Sequence, residues 1–121
     1  MSDRSLYIAK TNIAATHWEP YPMPKESLVE GDPAATVHWA RASGEGEPAY
    51  YAGVWTAEPS TFDYDFAMNE TAHILEGHVV VSQKGGPTLD LRPGDVATFP
   101  KGAKTRWHVR ERMKKVFVDT P

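Results

Sequence analysis

Beyond Thr36 the chain reads as short runs of apolar, aromatic and β-branched residues divided by Gly, Pro and Asp. That is the pattern of strands and turns, not of helices. Thr36 to Ala42 sets Val37 and Trp39 on one face. Tyr50 to Thr56 is a second strand, with Gly53 suggesting a bulge, and Phe62 to Phe66 is a short third. Thr71 to Leu75 and His78 to Gln83 flank Glu76-Gly77, where the chain is expected to turn or bulge without leaving its sheet. Lys84 to Pro87 reads as a hairpin turn, followed by strands at Leu89 to Leu91, Val96 to Phe99, Lys104 to Val109 and Lys115 to Val118. If Glu70 faces a barrel interior, the period of two sends Ala72 and Ile74 inward and His73 outward. Counted from Thr105, it sends Trp107 and Val109 inward and His108 outward.

The first third behaves differently. Pro20, Pro22 and Pro24 impose an extended path, and Pro24 to Glu30, closed by Gly31, predicts one or two helical turns. The expected organisation is an extended, proline-rich segment over residues 1–35, lying on the barrel or on a partner subunit, and a β-domain over residues 36–121. Many short strands with frequent turns predict an all-β antiparallel sandwich or jelly-roll barrel.

Composition narrows the functional classes. A chain of 121 residues supports one core. A formal charge of -3 argues against nucleic acid, and the basic run from Arg106 to Lys115 is interleaved with Glu111 and apolar residues, as a solvated strand face would be. No cysteine is present, which removes disulfides, thiolate chemistry and cysteine-ligated zinc. No apolar run is long enough for a membrane helix, and Met1–Ser5 lacks the apolar stretch of a leader, so the cytoplasm is the expected location.

Two spacings carry more information: Glu70-x6-Gly77 and Gly94-x5-Pro100-x-Gly102. With Phe62-Asp63-Tyr64, Asn69, Thr71, Ile74-Leu75-Glu76, Asp95, Phe99, Lys101, Trp107 and Lys115, they make the chain resemble the cupin superfamily. More narrowly, it resembles the small single-domain cupins termed DUF861 or cupin_3. That group includes the cupin part of an ethanolamine-utilisation protein and is related to ureidoglycine aminohydrolase. The resemblance implies a double-stranded β-helix, the cupin jelly roll. Residues from Trp55 to Phe117 carry it.

Metal-binding cupins place a His-x-His pair just before the motif glutamate and a third histidine after the second motif. The matching positions here are Asp63 and Asp65 in one register, Tyr64 and Phe66 in the other, and Thr105. Of the usual ligands only Glu70 remains, so no metal site is expected. Asp63 and Asp65 with Glu70 would make a hard-oxygen set, but acidic residues beside aromatics on a short strand read more simply as surface alternation. His17, His38, His73, His78 and His108 read as surface or packing histidines.

The pocket expected from this reading is lined by Trp55, Tyr64, Phe66, Glu70, Phe99, Thr105 and Trp107. Glu70 is the candidate acid or base, Tyr64 its hydrogen-bonding helper, and Thr105 a second hydroxyl. A barrel filled by its own side chains is the competing outcome. Lys115 is expected to face solvent or pair with an acid at the rim. Three functions follow. The first is a cytoplasmic protein binding a small polar metabolite without a cofactor. The second is an enzyme of the ureide or amine hydrolase or sugar-modifying type, working through Glu70, with Mn, Fe, Ni or Zn as the alternative cofactor. The third is a dimeric scaffold, with Trp18, Tyr21 and Met23 as anchors in a homodimer.

Overall fold

The computed structural model describes residues 7–121, so the Met1–Ser5 stretch lies outside the described residues. The strands are β1 (Glu19–Pro20), β2 (Leu28–Glu30), β3 (Thr36–Ala42), β4 (Tyr51–Ala57), β5 (Ser60–Asp65), β6 (Asn69–Gln83), β7 (Thr88–Leu91), β8 (Val96–Phe99) and β9 (Lys104–Thr120). All their pairings are antiparallel. The two long strands, β6 and β9, organise the molecule. The first half of β6 pairs with the second half of β9, and β8 and β4 extend that sheet on either side. The second half of β6 pairs with the first half of β9, flanked by β7 and β5. Two sheets joined through two bent strands make the all-β cupin jelly roll expected from the sequence.

The bend in β6 has a local cause. Register shifts surround Glu76 and Gly77, and the inward set changes from Glu70, Ala72 and Ile74 to Val79 and Val81. Gly77 has φ +88°, and a Cβ there would lie 2.2 Å from the Arg112 carbonyl oxygen. Only glycine fits such a close backbone approach at that φ. The expected bulge within one sheet is therefore present. The strands read separately on either side of it, Thr71 to Leu75 and His78 to Gln83, are one strand.

Two further expectations are corrected. Lys104 to Val109 and Lys115 to Val118 are not separate strands but the ends of β9, because residues between them stay paired to β6. Pro24 to Glu30 gives only a single 3₁₀ turn, Lys25–Ser27, before Leu28–Glu30 joins β5 as a strand. Tertiary pairing with Phe62 outweighs the weak local helix signal. Beside Gly53 the bulge lies on the opposite strand, between Trp39 and Arg41. A Cβ at Gly53 would come within 2.4 Å of the His38 carbonyl oxygen.

Both sheets contribute to the core. Phe62 stacks on Trp107 at 6.0 Å, and Phe66 stacks on Phe99 at 4.7 Å. Trp107, Phe62, Ile74 and Met113 are fully enclosed. Facing follows the alternation: Ala72, Ile74, Trp107 and Val109 are buried, while His73 and His108 are exposed. The extended segment lies against this barrel. Tyr21 and Met23 pack on its core, and Trp18 sets its ring edge-on to His38 beneath the Lys114 ammonium.

Candidate functional site

The alternation of β9 brings Met113, Lys115, Phe117 and Asp119 to the interior face. Lys115 is only 6% exposed, so the expectation of a solvent-facing or rim position is corrected, while the expected pairing with an acid is present. Its Nζ donates to Glu70 Oε2 at 2.6 Å, and Glu70 is itself 5% exposed. The same ammonium lies 4.7 Å from the ring centres of both Trp55 and Trp107 and 5.9 Å from that of Phe117. Desolvating two charges is costly unless geometry and further contacts compensate. Here a short charge-assisted hydrogen bond and cation–π contacts provide that compensation.

A second carboxyl group joins the pair. Asp119 stands directly across the ladder from Glu70, on the same face. Burial first, then the hydrogen bond and charge of Glu70, push the Asp119 carboxyl up to about 8, against the pull of Lys115. Its Oδ1 is buried and has no hydrogen-bond partner among the described residues. Tyr64 adds a phenol that burial, the neighbouring Tyr21, and the charges of Glu70 and Asp119 together hold above its ordinary range, so it remains a neutral hydrogen-bonding group.

These groups surround an inner cavity of 30 Å³, floored by Lys115, Phe62 and Trp107. An outer compartment of 210 Å³ adjoins it, lined by Trp39, Tyr51, Phe66 and Met68. Tyr21, Trp39, Tyr64, Glu70 and Asp119 line both. Of the pocket residues expected from sequence, Trp55, Tyr64, Glu70 and Trp107 meet at the inner cavity, and Phe66 lines the outer one. Phe99 and Thr105 stand apart, beside a different depression with Leu89 and Pro87. The Thr105 hydroxyl donates to the Tyr64 carbonyl at 2.7 Å and accepts from Trp107 Nε1 at 3.0 Å. It holds the site's walls rather than facing the cavity.

Sequence reasoning left Lys115, Asp119, Tyr21, Trp39 and Phe117 out of the pocket that they line. A signal for the first was present: Lys115 alternates between Met113 and Phe117 on an apolar face. Continuing that count reaches Asp119. Tyr21 had no periodic context that would have placed it.

The residues do not fit the metal of the wider fold family. Glu70 is bound to Lys115, and Thr105 has both its hydrogen bonds within the protein. Asp63 and Asp65 point away from the cavity and pair with Arg106 and Lys104. Among the described residues no three His, Cys, Asp or Glu side chains are grouped as metal ligands.

The fold and site define a cupin barrel whose motif carboxylate, Glu70, faces a tethered ammonium. The EutQ-like cupin domain profile matches residues 44–117, and the chain belongs to that family. It is similar to a DUF861 family protein from Thermotoga maritima, with 42% identity, a TM-score of 0.51, and coverage of 53% of this chain and 73% of the other. A putative ethanolamine utilization protein Q from Salmonella typhimurium shares the fold at 22% identity and TM-score 0.61, over 72% of this chain and 69% of its own. A protein of unknown function from Pseudomonas syringae, also of the DUF861 family, superposes with TM-score 0.77 at 21% identity, over 90% of this chain and 46% of the other. No curated protein sequence matches the chain.

Proposed function

We propose that this protein binds a small polar metabolite in its barrel, without a metal at the position of the usual cupin site. The observation that carries this reading is the buried Glu70–Lys115 pair beside Asp119, at the floor of a cavity that continues into a wider aromatic compartment. Convergent polar groups on an otherwise apolar concave surface are the usual composition of a ligand site. The ligand's polar end meets Asp119, Tyr64 and Tyr21, and its body lies against Trp39. The cytoplasm is the compartment this reading assumes, and cell fractionation checks it. Among the described residues no helix is long and apolar enough to cross a membrane.

The test is ligand-shifted melting against a metabolite library, followed by titration calorimetry of any hit. A hit whose affinity falls in Trp39→Leu and Tyr64→Phe supports the reading. A library without hits, together with solvent-inaccessible Trp39 in quenching measurements, overturns it.

A second reading, acid–base catalysis, has one observation in its favour. Asp119 carries a proton near neutrality, as a general acid requires. Incubating the protein with any bound ligand and following it by NMR decides this. Unchanged ligand refutes catalysis.

A further inference from the structure

The inner and outer compartments repeat one motif. In the inner one, a carboxylate and aromatic rings enclose a cation: Glu70 bonds the Lys115 ammonium, and Trp55 and Trp107 each lie 4.7 Å from it. In the outer one, the Trp39 ring centre stands 5.8 Å from that of Tyr51. Tyr21 closes a further side, and the buried Oδ1 of Asp119 has no partner among the described residues. Buried acceptors are ordinarily paired, so this oxygen points to a donor that the chain itself does not supply.

Charge makes the same selection. Glu70 and Lys115 cancel, and Asp119 holds its proton near neutrality, so the empty compartment is balanced; a cation entering beside Asp119 favours loss of that proton and compensates the charge it leaves. The other polar groups there, Tyr21, Tyr51 and Tyr64, are phenols. An anion entering the compartment would meet two carboxyl groups, those of Glu70 and Asp119, among aromatic rings. A cation would be attracted by both.

We infer that the outer compartment takes a small organic ammonium ion, its charge held by Asp119 and the rings of Trp39, Tyr51 and Tyr21. This rests on the binding reading above and names the class of ligand.

The experiment is calorimetry on the full chain with three probes: choline, its uncharged carbon isostere 3,3-dimethylbutan-1-ol, and acetate. Choline is expected to bind at least about tenfold more tightly than the isostere, as a desolvated cation–π site requires. Acetate is expected not to bind. Asp119→Asn is expected to weaken choline by about tenfold while leaving the isostere unchanged. Trp39→Leu, which leaves both partners of the Glu70–Lys115 hydrogen bond in place, gives an independent variant expected to weaken choline similarly. Equal or tighter binding of the isostere or of acetate overturns the ammonium class but leaves the binding reading standing. Failure of all three probes overturns the ammonium inference. If the metabolite library also yields nothing, the binding reading falls with it.

Discussion

Replacing Lys115 by methionine tests the central contact directly. Methionine fills much of the lysine's stem volume but removes the ammonium, leaving Glu70 buried at 5% exposure beside Asp119. Breaking a buried ion pair by deleting one partner costs about 3–5 kcal/mol, because the surviving charge is left desolvated. For 121 residues the unfolding entropy at the midpoint is about 0.25 kcal/mol/K, so the cost corresponds to a fall in Tm of about 12–20 °C. The assay is thermal and urea unfolding of Lys115→Met, Glu70→Gln and the double variant. Two results are expected together: a large loss in Lys115→Met, and partial recovery in the double variant. A loss in Lys115→Met below about 1 kcal/mol, the range of an exposed pair, refutes the reasoning. So does a double variant no better than the single one.

Asp119→Asn is expected to flatten part of the pH dependence of stability. Its carboxyl group has a raised folded-state value, so the wild type binds an extra proton on folding and loses that stabilisation as pH rises from about 4 to about 8. The Tm of Asp119→Asn relative to wild type should therefore increase across that range, and a constant difference would contradict the assignment. Gly77→Ala places a Cβ 2.2 Å from the Arg112 carbonyl oxygen at φ +88° and is expected to cost at least about 3 kcal/mol or to prevent soluble expression. A near-native urea midpoint would show that the bulge can relax. Thr105→Val removes the acceptor of Trp107 Nε1 and the donor to the Tyr64 carbonyl, and is expected to cost about 1–3 kcal/mol in chemical denaturation.

The alternation along the long strands was legible because each side of the sheet faces either core or water. Glu70, Ala72 and Ile74 could be sent inward, and His73 and His108 outward, by counting alone. The continuity of β6 through Gly77 was harder to read, since a bulge changes the facing without ending the pairing. For β9, the polar stretch from Arg110 to Arg112 looked like a break, although its neighbours pair across to β6. The burial of Lys115 was missed for a thermodynamic reason. A lysine is ordinarily hydrated, and its burial depends on Glu70, distant in sequence, and on rings from β4 and β9. Tyr21 and Trp39 reach the site through the packing of the proline-rich segment and β3, which short-range patterning does not encode.

The ammonium beside Glu70 has a consequence for how the site is maintained. A coordinated ion can be stripped by a chelator or exchanged for a competitor, so its occupancy follows the surroundings. The Lys115 charge is attached to the chain by covalent bonds and arrives with translation. At this position the barrel's charge balance is inherited with the sequence, beyond the reach of a chelator or a competing ion.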